Sequence, residues 1–471
     1  MRYVSTRGEA PALDFVEVML AGLARDGGLY VPERWPSLDA RTIAGFAGRP
    51  YAEVAVEVIR PFVGDAIPEA DLARMAQEAY GTFRHPATAP LTQLAPGLFV
   101  LELFHGPTLA FKDLAMQLVA RLMDHALQKR SERTTIVVAT SGDTGGAAVE
   151  AFRGRAQADV VVLFPHGRIS EVQRRMMTTA PDANVHALAI EGTFDDCQAI
   201  VKAMFNHHAF RDRVRLSGVN SINWARIVAQ VVYYVTAAVA LGSPHRKVAF
   251  TVPTGNFGDV FAGYVAQRMG LGIDRLVVAT NVNDILARTF ATGAYEIKDV
   301  VATASPSMDI QVSSNFERLL FDAYGRDAKA VTALMASLAQ SRRFQIASSA
   351  LKEMRALFSA DRASEEECSA TMRATMREAG YCVDPHTAIG LAVAEKEARD
   401  SAVPMVALST AHPAKFPDAV AAACGTRPSL PDWLADLGER PERVQVMPAD
   451  QGAIERYVAS ASRAAREGAA A

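Results

Sequence analysis

The run Thr134-Thr135-Ile136-Val137-Val138-Ala139-Thr140-Ser141-Gly142-Asp143-Thr144-Gly145-Gly146-Ala147-Ala148-Val149-Glu150-Ala151-Phe152 decides the architecture. Its first seven residues read as a strand, Ser141 to Gly145 as a tight turn, and Gly146 to Phe152 as a helix. An apolar run without alternation is a strand buried on both faces, which is the condition of a parallel sheet covered by helices. Further strands are expected at Asp159 to Phe164 and Val185 to Ile190. The pattern recurs at Lys247 to Val252, where the turn Gly255-Asn256-Phe257-Gly258-Asp259 leads into a helix from Val260 to Met269. Strand-like runs at Arg275 to Thr280 and Met405 to Leu408 complete an α/β chain with largely parallel sheets.

Half of the 471 residues are hydrophobic, enough for a large core, and roughly 150 residues per domain suggests two or three domains. The net charge of -3 arises from 49 basic and 52 acidic residues spread without blocks, so nothing favours a nucleic-acid groove or an anionic membrane. Small-molecule ligands are expected. Cys197, Cys368, Cys382 and Cys424 form no CxxC pair, which fits a reducing compartment. The start, Met1 to Arg7, has no hydrophobic signal core, and the expected location is cytoplasmic. The apolar run Ile227 to Leu241 is short for a bilayer span of about 20 residues and reads as a buried core helix.

Residues 1 to about 90 read as helices and turns, with Ala52 to Ile59 amphipathic. The β/α alternation occupies about 91 to 245 and resumes from 247. Val282 to Phe316 reads as irregular, Val331 to Gln340 and Ser364 to Ala379 as helices, and the Ala-rich tail after Ser460 as a frayed helix end.

Lys112 stands in Phe104-His105-Gly106-Pro107-Thr108-Leu109-Ala110-Phe111-Lys112-Asp113, an amine among apolar residues at the start of a buried helix. Desolvation lowers a lysine's pKa and improves it as a nucleophile, as Schiff-base chemistry requires. Gly255 to Gly258 lie between a strand and a helix, where amides and the helix dipole attract an anion. A plain βα turn stays open for this loop, and Asp259 is tolerable beside a phosphate if it turns away as an N-cap. Ser141, Gly142 and Thr144 could take a substrate carboxylate, with a capped solvent-facing turn as the alternative. Asn220-Ser221-Ile222-Asn223-Trp224-Ala225-Arg226 sets amide, hydroxyl and guanidinium groups at a helix mouth. There Arg226 either grips a second phosphate or is a surface arginine. In Ser409-Thr410-Ala411-His412-Pro413-Ala414-Lys415-Phe416 a hydroxyl follows the last strand, with His412 and Lys415 read as loop residues. The pair His207-His208 reads as a solvated helix end. No HExxH, GxSxG, Walker-type or CxxC arrangement supports metal, esterase or nucleotide hydrolysis.

Together these segments resemble the threonine synthases, a family of the fold type II pyridoxal phosphate enzymes. The matching pieces are Tyr3 to Gly8, Asp26 to Pro32, the Lys112 segment, the two turns, Asn220 to Arg226, Asp384-Pro385-His386-Thr387-Ala388, and Thr410 to Phe416. The resemblance implies a tryptophan synthase β-like fold of two sheet domains wrapped by helices. It implies a family N-terminal region at 1–90, a smaller mobile domain at 91–245 and a larger one at 246–471. It implies that Lys112 is the Schiff-base lysine, that Gly255, Asn256, Phe257 and Gly258 wrap the phosphate of pyridoxal 5'-phosphate, and that Thr410 faces the ring nitrogen. Ser141, Gly142 and Thr144 then match a substrate-carboxylate loop, and Asn220, Ser221 and Arg226 the substrate-phosphate positions. Asp143 stands where many fold type II relatives carry Asn near the cofactor's 3-oxygen, a contact that needs a shared proton or a shift.

The implied reaction is γ-elimination of phosphate from O-phospho-L-homoserine followed by β-addition of water, giving L-threonine, by a monomer or homodimer. The competing readings are a dehydratase or phospho-lyase of the same fold and a non-catalytic binder of a phosphorylated amino acid.

Overall fold

In the computed structural model of the chain, residues 1–397, 400 and 402–468 are described. Two sheets carry the architecture. One has five strands, all parallel, in the order Gln445–Pro448, Val185–Glu191, Ala158–Pro165, Thr134–Ala139, Leu216–Ser217. Every residue of Ala158–Pro165 is buried, as the unalternating run requires. The other has six strands in the order Phe358–Arg362, Ile273–Thr280, Val248–Pro253, Met405–Ser409, Leu98–Glu102, Leu91–Ala95, with only the last pair antiparallel.

The sheets divide the chain differently from the boundaries expected at 91 and 246. The hairpin Leu91–Ala95 and Leu98–Glu102 joins the larger sheet, because Leu98–Glu102 registers residue for residue against Met405–Ser409. Gln445–Pro448 returns to the smaller sheet beside Val185–Glu191. The N-terminal region is not purely helical, since Tyr3–Ser5 and Tyr30–Pro32 form an antiparallel pair. Val282 to Phe316 is not wholly irregular. It contains the helix Ile285–Thr292 and the strand Ala294–Glu296, and the remainder is tied by Asn281, Asn283, Thr303 and Asp309 side chains.

The tail is docked rather than frayed over its described part. Arg463–Gly468 is helical, Arg463 Nε lies 2.6 Å from Asp159 Oδ1, and Ser462 Oγ lies 2.7 Å from Thr135 Oγ1. Residues 469–471 of the Ala-rich segment lie outside the described residues.

The apolar run near 230 is the helix Trp224–Ala240, packed against the helices Tyr51–Val63, Lys112–Arg130 and Gly258–Arg268. Trp224 is fully buried, with ring centroids of Tyr3 and Phe62 each 5.9 Å away, which docks the N-terminal region on this central helix. No helix among the described residues is long and apolar enough to cross a membrane.

Candidate active site

The segment before Lys112 is stitched to the end of the strand Met405–Ser409. Leu103 N–H donates to the Ser409 carbonyl (3.0 Å), Phe111 N–H to the Thr410 carbonyl (2.9 Å), and His412 N–H to the Leu109 carbonyl (3.0 Å). These bonds place Lys112, the first residue of Lys112–Arg130, beside Thr410. Asp113 fixes the approach by accepting from Thr108 N–H (2.7 Å) and Thr108 Oγ1 (2.6 Å). A Cβ on Gly106 would meet the Asp113 side chain at 2.5 Å, so only glycine fits there. Burial pushes the Asp113 carboxyl up to about 6 against those two hydrogen bonds.

The Lys112 side chain is 10% exposed, with Nζ 3.2 Å from Asp143 Oδ2 and 4.6 Å from the Phe111 ring centroid. Burial lowers its pKa from the usual lysine value; Asp143 opposes this, and Lys415 and Arg226 add to it. Asp143 is fully engaged: Oδ1 is 2.7 Å from Lys415 Nζ and accepts from Gln173 Nε2 at 2.9 Å. Burial disfavours its charge, yet Lys415 and Lys112 together hold the carboxyl well below the usual range. Lys415, expected as a loop residue, is fully buried and also donates to the Thr108 carbonyl (2.8 Å). Its apolar neighbours Pro413, Ala414 and Phe416 are the same signal that singled out Lys112.

Ser141 to Gly145 lie at the end of the strand Thr134–Ala139. Thr140 Oγ1 accepts from Gly142 N–H (2.9 Å) and Gly145 N–H (3.0 Å), which folds the turn, while Ser141, Asp143 and Thr144 N–H have no acceptor among the described residues. Gly142 has φ +136°, and a Cβ there would meet Gln173 at 2.4 Å. Ser141 and Thr144 remain partly exposed at the helix mouth.

In the second turn the carbonyls are tied back. Gly255 O accepts from Ser313 Oγ (2.7 Å), and Asn256 O from Asn315 N–H (3.1 Å) and Nδ2 (2.9 Å). With Phe257 at φ +63°, the N–H groups of Gly255, Asn256, Phe257 and Gly258 are left without an acceptor among the described residues. A Cβ on Gly255 would meet the Ser307 carbonyl at 2.6 Å, so the cradle needs glycine. Ser221's carbonyl would lie 3.5 Å from a Cβ on Gly258, bringing the Asn220–Arg226 segment against this loop.

Asp259 does turn away, but not as an N-cap, since Phe257 holds that position. Its Oδ1 accepts from Tyr233 (2.5 Å) and Tyr234 (2.9 Å) hydroxyls, and Oδ2 is buried without a partner. Burial pushes this carboxyl up to about 6. A raised folded pKa means that the protonated acid is favoured in the folded state, so its contribution is full below about pH 3.8 and lost as pH rises through about 6. Asp259→Asn, which keeps an acceptor for both tyrosines, should therefore gain about 3 kcal/mol on the wild type as urea unfolding is moved from pH 4 to pH 8. A pH-independent difference would contradict the assignment.

Arg226 is 2% exposed and buried, not a surface arginine. Its Nη1 donates to the Val219 carbonyl (3.2 Å), while its Nε and Asn220 Oδ1 are buried without partners among the described residues. Asn223 is structural, capping the Trp224 helix through Ala225 N–H and donating to the Met19 carbonyl. His207 caps a helix end beside Glu455, half-exposed, as a solvated helix end should be. The described residues contain no His/Cys/Asp/Glu group able to hold a metal.

A buried amine, a hydroxyl at Thr410 and a loop of free amides together suit a phosphorylated ring aldehyde. Comparison with known proteins agrees. Residues 2–80 match the family described as "Threonine synthase N terminus", 82–365 "Pyridoxal-phosphate dependent enzyme", and 387–458 "Threonine synthase, C-terminal". A threonine synthase of Pseudomonas aeruginosa is 53% identical over 459 residues, covering 97% of this chain and 98% of the relative. The crystal structure of a PLP-bound threonine synthase from Brucella melitensis superimposes with a TM-score of 0.96 at 60% identity, covering 98% of this chain and 100% of that one. The yeast threonine synthase structure gives 0.92 at 39% identity, with 98% of each chain covered.

Proposed function

This chain belongs to the threonine synthase family of pyridoxal phosphate-dependent enzymes, and from that membership we propose how its residues divide the work. It is a pyridoxal phosphate-dependent lyase that converts O-phospho-L-homoserine and water to L-threonine and phosphate. The observation that carries the residue assignment is the buried Lys112 amine paired with Asp143 of the first turn, together with amides in both turns that have no acceptor among the described residues.

Lys112 would hold the cofactor covalently, and the amides of Gly255, Asn256, Phe257 and Gly258 would hold its phosphate. Thr410 would offer a hydroxyl, not a carboxylate, to the ring nitrogen. When bound, pyridoxal phosphate supplies an electron sink for charge that develops beside the substrate amine. As a free amine Lys112 would serve as the base at the substrate Cα, a role that the lowering of its pKa by burial favours. Ser141, Gly142 and Thr144 orient the substrate carboxylate at the mouth of the helix Asp143–Phe152. Arg226, with Asn220 and Ser221, holds the γ-phosphate.

Asp143 would need a shared proton or a shift in position to contact the cofactor's 3-oxygen. Both its oxygens are engaged by lysines, so it serves as their counter-ion. Closure of the five-stranded unit on the six-stranded one would exclude water until the final addition, since early hydrolysis yields an oxo acid. A cytoplasmic monomer or homodimer fits this reading.

The test is to incubate the cofactor-loaded protein with O-phospho-L-homoserine and follow both products. Phosphate and threonine should appear in equal amounts. Phosphate with 2-oxobutyrate would make it an eliminating lyase, and no turnover with normal cofactor binding would make it a binding homologue.

A further inference from the structure

Asp143 is shared between two ammonium groups of unequal permanence. Lys112 Nζ has one hydrogen-bonding partner, Asp143 Oδ2 at 3.2 Å. Lys415 Nζ, in a fully buried place, donates to the Thr108 carbonyl at 2.8 Å and forms an ion pair with Asp143 Oδ1 at 2.7 Å. If Lys112 carries the cofactor, its charge comes and goes with the chemistry. A buried carboxylate whose only cation disappears would be stranded, which is costly in a dry interior. A carboxylate that belonged wholly to Lys112 would instead hold that lysine as an ammonium, unable to attack or accept a proton.

We propose that Lys415 is a positioning residue for the lysine chemistry: it keeps Asp143 paired and fixed whatever the state of Lys112. Its buried charge, paired to the other oxygen of the same carboxylate, opposes the ammonium form of Lys112. The proposal rests on the reading of Lys112 as the cofactor lysine. Besides Asp143 and Lys415, Lys112 is faced by Arg226 from the Trp224 helix and by Asp259 from the Gly258 helix. His386 faces Asp143, and Asp113 faces Lys415. All four are retained when Lys415 alone is changed, so a change in the behaviour of Lys112 reports Lys415.

The experiment measures the rate at which the full chain, freed of cofactor, captures added pyridoxal phosphate between pH 6 and 10. The adduct is trapped with borohydride and located by peptide mass. In Lys415→Met the midpoint of the rate profile should move up by about one pH unit, with capture at neutral pH falling about tenfold and the rate at high pH retained. Lys415→Arg should keep the wild-type midpoint. Should the methionine variant fail to fold, Lys415→Gln removes the charge while retaining a donor for the Thr108 carbonyl. An unmoved or lowered midpoint, or a rate reduced equally at every pH, would overturn the proposal and leave Lys415 a structural tie. An adduct on a residue other than Lys112 would instead overturn the underlying reading of Lys112.

Discussion

Lys112→Ala should leave a folded protein without covalently held cofactor, without the visible absorbance that the linkage confers, and with turnover reduced at least about a thousandfold. On the proposed role of Lys112 the size follows from two losses at once: the nitrogen that would anchor the cofactor and the base at the substrate Cα. The fold should survive because Asp143 keeps Lys415 and Gln173 as partners, so removing Lys112 does not strand a buried charge. The Lys112 helix also keeps its start, which is held by Asp113 and the Phe111 to Thr410 bond rather than by the lysine. Lys112→Arg is the control for charge. It restores a cation opposite Asp143 but no amine of suitable basicity, and should recover neither absorbance nor turnover. A borohydride-stable cofactor adduct in the alanine variant would remove Lys112 from its role.

What could be read from the sequence follows the range of the signals involved. Strands such as Ala158–Pro165 and the glycine turns after them are local, because a doubly buried strand announces itself by composition and a cradle by its glycines. The strand Gln445–Pro448 is the opposite case. It is a mostly exposed edge ending in proline, paired with a strand more than 250 residues earlier in the chain, and nothing in its own four residues specifies that partner. The hairpin at Leu91–Glu102 was displaced from its expected domain for the same reason, since its register is set by Met405–Ser409. At the site, Lys112 and both turns were legible. The burial of Arg226 was not, because helix mouths are usually wet and this one is covered by segments remote in sequence, the Tyr51–Val63, Lys112–Arg130 and Gly258–Arg268 helices against which its helix packs. Lys415 and Gln173 do not stand out in the sequence, because what distinguishes them is their contact with Asp143, and that contact exists only in three dimensions.

Arg226→Ala should raise the apparent KM for the phosphorylated substrate by about a hundredfold to a thousandfold, with kcat changed much less. The guanidinium is pushed down to about 10 by burial, which still leaves it cationic at neutral pH, and its Nε has no partner among the described residues. A desolvated cation with a spare donor binds a phosphate far more strongly than a surface arginine would, because no water must be displaced from it first. Arg226→Lys should recover part of the loss, since it returns the charge without the planar fork. Inhibition by inorganic phosphate should weaken in parallel with substrate binding, because both anions would use the same donors. Cofactor retention separates this role from its neighbour's. Arg226 lies on the segment packed against the Gly258 loop, so an arginine serving the cofactor's phosphate would, when removed, release pyridoxal phosphate on dilution. Retained cofactor with weakened substrate places the guanidinium on the substrate phosphate; lost cofactor with unchanged KM would move it into the cofactor cradle.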